Sequence, residues 1–224
     1  MTENTYTFGQ CTRLDLEKWF GLRRTWSSTL LDGWLNTQVT LTEKEKIVLN
    51  VFQEGLILGH DAWSEQELSM NFIGPVLKVA NFIEPYRFNL FAGRKIGTTV
   101  PALDGEIELS GNPDGLIATG YWEPEIPMFA FSEYKRTLDP NGDPAGQTLA
   151  AMLVGQVLNK DETPLYGCYV VGHYWHFLVL EGKSYAISQD YSALTDDIFD
   201  ILRILKALKN RLMARTQPPS HKNA

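Results

Sequence analysis

The chain has little of what several enzyme classes require. Its 224 residues include two cysteines and four histidines. Cys11 and Cys168 lack metal-type spacing, and His60, His173, His176 and His221 form no H-x-x-x-H ligand pair. Neither a zinc site nor a disulfide framework is expected, and a reduced, cytoplasmic setting is the plainest reading. No apolar run approaches the roughly 18 residues that span a bilayer, so no membrane partner is expected. The opening MTENTYTFGQCTRLDLEKWF has no basic stretch leading into an apolar one and does not read as a signal peptide. A Gly-x-Ser-x-Gly elbow, a P-loop and a dinucleotide fingerprint are all missing, which leaves those enzyme classes without support.

What is present is an ordinary globular composition, 44% hydrophobic and 21% charged. The length suits one domain, with or without a helical appendage. The net charge of −7 argues against a general nucleic-acid coat protein, but it is unevenly spread. From Ile201 onward there are six basic residues (Arg203, Lys206, Lys209, Arg211, Arg215, Lys222) and no acid, so the first 200 residues hold 14 cations against all 27 acids. That excess is either a soluble acidic surface or, in part, a carboxylate cluster for a metal.

The first 60 residues read as helical. Thr42-Glu-Lys-Glu45 is a capping box opening an apolar-periodic run through Ile47, Val48, Val51, Phe52, Leu56 and Leu58. Ser64 reads as the N-cap of a second helix reaching about Ala80. Tyr86–Phe91, Glu106–Leu109, Asp114–Ala118 and Met128–Lys135 are short alternating or aromatic-rich segments bounded by Gly, Pro and Asn, and read as strands. A helix follows near Ala145–Asn159, then strands over Tyr166–Val171, Trp175–Leu180 and Ser184–Ile187, and a last helix over Thr195–Met213. Acids at the start of that helix and cations at its end suit the helix dipole, so its charge gradient need not mean DNA binding. The expectation is a mixed α/β (α+β) domain: a helical segment over 1–62 packed on the core, the core over 63–213, and a disordered tail over 214–224.

Chemistry concentrates in the middle. In Phe129-Ala-Phe-Ser-Glu-Tyr-Lys135 the strand period places Glu133 and Lys135 on one face, about 7 Å apart. Two charges on a mostly apolar strand are costly to bury without a partner or a metal. A second Glu-x-Lys, Glu181-Gly-Lys183, lies between strand-like runs and reads as a hairpin turn. Pro113-Asp114-Gly115 is either a plain turn or the head of a strand, Leu116–Ala118, that pairs antiparallel with the Glu133 strand and brings Asp114 close to Glu133. On the second helix Leu68, Phe72 and Val76 fall within about 60° of Glu65, so Glu65 sits on the apolar stripe while Glu67 is a solvated surface acid. Glu65 either caps backbone amides or points into a site. Gln147 faces inward on the next helix, as a structural hydrogen-bonding amide or as a site residue.

Taken in order, Glu65, Asp114, Glu133, Lys135 and Gln147 resemble the PD-(D/E)XK nuclease superfamily over roughly Ser64–Leu158. Ser64-Glu-Gln-Glu-Leu-Ser-Met-Asn-Phe-Ile-Gly-Pro-Val-Leu77 also looks like the opening helix of restriction-endonuclease-like proteins, including the nuclease region of type I restriction subunits. The resemblance implies a restriction-endonuclease-like core, a central mixed sheet flanked by helices. It also implies Mg²⁺-dependent (or Mn²⁺-dependent) hydrolysis of phosphodiester bonds in DNA, with RNA not excluded. Asp114 and Glu133 would hold the metal, joined by the Tyr134 carbonyl and by Glu65 directly or through water. Lys135 would position or activate the attacking water or stabilise developing charge, and Gln147 would contact the site or the nucleic acid. A homodimer, or a helicase or specificity partner supplied in trans, fits the same resemblance. So does the rival reading, a catalytically inactive member that keeps the fold to bind nucleic acid or protein. Arg87, Arg94, Lys95 and Arg136 flank the proposed site and either meet phosphates or are scattered surface cations. Trp175 and His176 either stack bases or pack the sheet.

Overall fold

The structure is a computed structural model that describes residues 4–136, 142–161 and 163–216. The alternating segments form strands as their pattern predicts. β6 (Gly115–Thr119) and β7 (Glu125–Lys135) pair antiparallel, with Gly115 opposite Ser132 and Leu116 opposite Phe131. Helix α6 (Pro144–Asn159) then crosses the sheet, and β8 (Leu165–Val171) returns parallel to β7, as a crossover helix allows. β9 (Tyr174–Glu181) and β10 (Ser184–Ile187) continue antiparallel, and Glu181-Gly182-Lys183 is the hairpin turn between them, with Gly182 at a φ of 57°. With β3 (Asn89–Phe91) beside β6 and β2 (Arg23–Arg24) beside β10, the strand order is β2-β10-β9-β8-β7-β6-β3, and β11 (Tyr191–Ser192) pairs with β9. A second, three-stranded sheet has the order β1-β5-β4, from β1 (Thr5–Thr7), β4 (Ile96–Pro101) and β5 (Glu106–Gly111).

Alternation along the large sheet divides its side chains between two cores. Leu116, Phe131 and Leu178 face the core shared with α6, α1 (Arg13–Phe20) and the small sheet. Ile117, Ala130 and Phe177 face the other, built with α2 (Thr29–Leu35), α3 (Glu43–Gly59) and α7 (Asp197–Arg215). The sheet is thus covered on both faces, and α6 is buried from Ala145 to Gly155. The mixed α/β class read from the sequence holds. Among the described residues no helix is long and apolar enough to cross a membrane.

Three features depart from the sequence reading. The first 60 residues are not wholly helical: β1 and β2 join the two sheets. These strands of three and two residues exist through their pairing with β5 and β10, and such short runs carry no period of their own. β4 was equally invisible, since Gly97 and Pro101 break its pattern. The helix opened by Ser64 reaches Ala80 as expected but is not α-helical throughout. It runs as α4 (Glu65–Leu68), a π-helical turn (Ser69–Ile73) and α5 (Gly74–Ala80). Pro75 has no N–H to give the carbonyl four residues back, and its ring crowds that carbonyl, which accounts for the widened turn before it. Finally, α3 opens at Thr42 with the expected box, and Leu49 and Leu56 are buried, yet Ile47, Val51 and Leu58 face solvent at 63%, 59% and 85% exposure.

The basic end of the chain is committed to structure. Arg203 donates to the Leu35 and Thr37 carbonyls, Lys206 pairs with Glu45, Lys209 with Glu84, and Arg211 donates to the Gly33 carbonyl. α7 includes Ala214 and Arg215, the first two residues of the expected tail; residues 217–224, Lys222 and His221 among them, lie outside the described residues.

Candidate metal centre

Asp114 stands one residue before β6, and continuing the β6–β7 register puts it opposite Glu133. Opposed positions in an antiparallel pair bring Cβ atoms to about 5 Å, so the two acids share one face at the strand end. The Asp114 carboxylate accepts the backbone N–H of Tyr134 at 2.6 Å. Pro113, just before Asp114, has no N–H to give. A strand residue projects its N–H and C=O to the same side. The Tyr134 carbonyl therefore faces the Asp114 side, and the Pro113 carbonyl accepts the Gly93 N–H at 3.2 Å. Gly115 completes the turn: a Cβ there would collide with the Ser132 hydroxyl, which hydrogen-bonds the Tyr134 phenol at 2.9 Å.

Lys135 Nζ lies 2.9 Å from Glu133 Oε1 and 3.3 Å from Glu65 Oε2. Glu65 reaches it from α4, whose Leu68 belongs to the core on the far face of the sheet, so both layers converge at this strand end. The alternatives for Glu65 resolve accordingly. Glu67, not Glu65, closes the capping box by accepting the Ser64 N–H at 2.8 Å, and Glu65 turns into the site. Gln147, 6% exposed, lines the same cleft as Glu133 and Lys135.

Burial, with the neighbouring Asp114 charge, pushes the Glu133 carboxyl up to about 7, against the opposing pull of Lys135. Asp114 is also raised by burial, partly offset by the Tyr134 N–H and Lys135. Burial works against the charge on Lys135, but the hydrogen bond and charge of Glu133, with Glu65 and Asp114, outweigh it and raise its pKa. Lys135 is therefore an ammonium at neutral pH, placed between the Glu133 and Glu65 carboxylates.

No three His, Cys, Asp or Glu side chains among the described residues stand in liganding arrangement, and the Lys135 ammonium bridges Glu133 and Glu65. The donor set nonetheless fits a hard divalent cation: two carboxylates, both raised by burial, and the Tyr134 carbonyl beside them, all oxygen. Mg²⁺ keeps several waters and needs no more protein ligands than these.

The remaining candidates sort clearly. Trp175 is fully buried against Phe72 and Phe177, and His176 stacks on Tyr169 at 4.5 Å, so both pack the sheet and Trp175 cannot stack bases. Arg87 donates to the Met213 carbonyl, Arg94 pairs with Glu123, and Arg136 is exposed. Lys95 lines the cleft itself. Sequence reasoning missed the opposite wall of that cleft, Thr7–Gly9 and Ser110–Asn112. Both cysteines are buried thiols; burial, with Asp15, pushes Cys11 up to about 12, and burial also raises Cys168. No protein-family model and no curated protein matches this chain.

Proposed function

We propose that this chain is a metal-dependent phosphodiesterase of the PD-(D/E)XK nuclease type, acting on nucleic acid. The observation that carries the reading is the meeting of Asp114, Glu133 and Lys135 at the paired end of β6 and β7, with Glu65 bonded to the same ammonium. The order α4, β6, β7, α6, β8, with β7 and β8 parallel, supports a restriction-endonuclease-like core around that site.

Asp114, Glu133 and the Tyr134 carbonyl would hold Mg²⁺ or Mn²⁺, with Glu65 as a further ligand, direct or through water. A bound divalent cation supplies a water of lowered pKa and a counter-charge for phosphate oxygens. Lys135 is charged and held by two carboxylates, so its role is to place positive charge by the phosphate and orient the nucleophile rather than to remove a proton. Glu133, poised near neutrality in the metal-free chain, is the group able to hold a proton there. Gln147 is positioned in the cleft to hydrogen-bond the substrate or an ordered water.

Calorimetric titration of MnCl₂ into wild type and Asp114→Asn tests the reading without any guess at substrate. Binding by wild type and its loss in the variant support it, and cleavage of single-stranded and duplex DNA is then expected to require the same residues. Absence of binding to wild type, with no cleavage at millimolar Mn²⁺, rejects it. One observation favours the rival binding-only reading: the ion pairs of Lys135 already partly balance the acids. The same titration separates the two.

A further inference from the structure

The small sheet is the part of the fold that the metal centre does not use, and its end is built against the cleft. Ile96 pairs with Gly111, so the next position along the register sets Lys95 opposite Asn112, two residues before Asp114. On the other side of β5, Thr7 pairs with Ser110. Together these residues wall the cleft whose other side is Glu133, Lys135 and Gln147. Lys95 is the wall's one charged side chain. It is exposed, and among the described residues it forms no ion pair, whereas Arg87 and Arg94 are engaged elsewhere. In a chain of net charge −7, a wall whose hydroxyl and amide groups (Thr7, Ser110, Asn112) flank a single cation is suited to a polyanion's backbone.

We propose that the end of the small sheet holds the sugar–phosphate backbone of a nucleic-acid strand, with Lys95 binding a phosphate adjacent to the one at the carboxylates. The assignment rests on the phosphodiesterase reading above. DNA and RNA share the chemistry it recognises.

Fluorescence anisotropy of labelled dT12 and rU12 in EDTA, over a range of KCl, tests it independently of metal and turnover. Wild type is expected to bind at low salt. Lys95→Ala weakens binding about 3–10-fold and flattens the dependence of log K on log salt by about 0.7, the slope of one single-strand phosphate contact. Lys95→Arg keeps the slope, and Lys78→Ala, on an exposed position of α5, changes nothing. The relative affinity for dT12 and rU12 tells which backbone is preferred. If Lys95→Ala binds with wild-type affinity and slope, the wall assignment is overturned while the metal-site reading stands. If wild type binds neither oligonucleotide, the assignment is overturned, and the Mn²⁺ titration decides separately whether the metal centre survives.

Discussion

Tyr134 donates its backbone N–H to the Asp114 carboxylate at 2.6 Å, so the aspartate supplies at the end of β6 the acceptor that the next peptide of the strand would otherwise provide. The same side chain is thereby both a structural cap on the sheet and a candidate metal ligand. These roles separate on mutation. Asp114→Ala leaves a partly buried N–H without an acceptor and is expected to cost about 1–3 kcal/mol. Asp114→Asn retains an acceptor oxygen and removes a charge that repels Glu133, so its metal-free stability should equal or exceed wild type. Urea denaturation of the two variants in EDTA checks both; equal destabilisation would mean that charge, not the hydrogen bond, matters.

Stability should depend on pH through Glu133. Its folded pKa of about 7 lies above the ordinary value of 4.5, so between these values the native state binds more protons than the unfolded one. Stability from this group is therefore fully present below about pH 4.5 and is lost as pH rises through 7. With EDTA present, wild type should lose on the order of 2 kcal/mol relative to Glu133→Gln between pH 5 and pH 8. Parallel thermal-denaturation profiles for the two proteins would overturn this. A divalent cation should reverse the trend, since it competes with the proton for the same carboxylate.

Lys135 is the counter-charge for two acids, and removing it leaves Glu133 buried without its closest cation. Lys135→Met is expected to destabilise the chain by about 2 kcal/mol at pH 8. Adding Glu133→Gln should restore much of that loss. A double-mutant cycle gives the coupling; simple additivity would show that the ion pair is not what holds the strand end together.

Much of this centre was legible because strand and helix periods are local. Alternation put Glu133 beside Lys135, and a helical wheel turned Glu65 inward. The pairing of Leu116–Ala118 with the Glu133 strand followed from the short loop between them. What stayed hidden depends on distant partners. β1 and the Thr7–Gly9 wall exist through β5, a hundred residues away, and β4 is punctuated by Gly and Pro. The outward Ile47, Val51 and Leu58 share a helix with buried Leu49 and Leu56, and the apolar pattern alone did not tell which stripe faced the core. Pro75 was readable as a break in helical hydrogen bonding, but the resulting π turn was not.

Gly115 has no room for a methyl group over Ser132. Gly115→Ala is expected to cost about 1–3 kcal/mol by overpacking and to loosen the Ser132–Tyr134 hydrogen bond. Because the obstacle is a hydroxyl oxygen, Ser132→Ala should make the glycine substitution markedly less harmful. Chemical denaturation of the two single variants and the double tests this; a double variant as unstable as the sum would place the strain at the Tyr134 phenol, 3.0 Å from the added carbon, instead.

The pairing of Thr5–Thr7 with Glu108–Ser110 also fixes an order of events during synthesis. The first strand leaves the ribosome roughly a hundred residues before its partner, and closing so long a loop is slow. Until β5 arrives, one wall of the cleft does not exist. A chain shortened past Thr7 would lose the first strand's share of that wall, and would leave the hydrogen-bonding edge of β5 open to another chain.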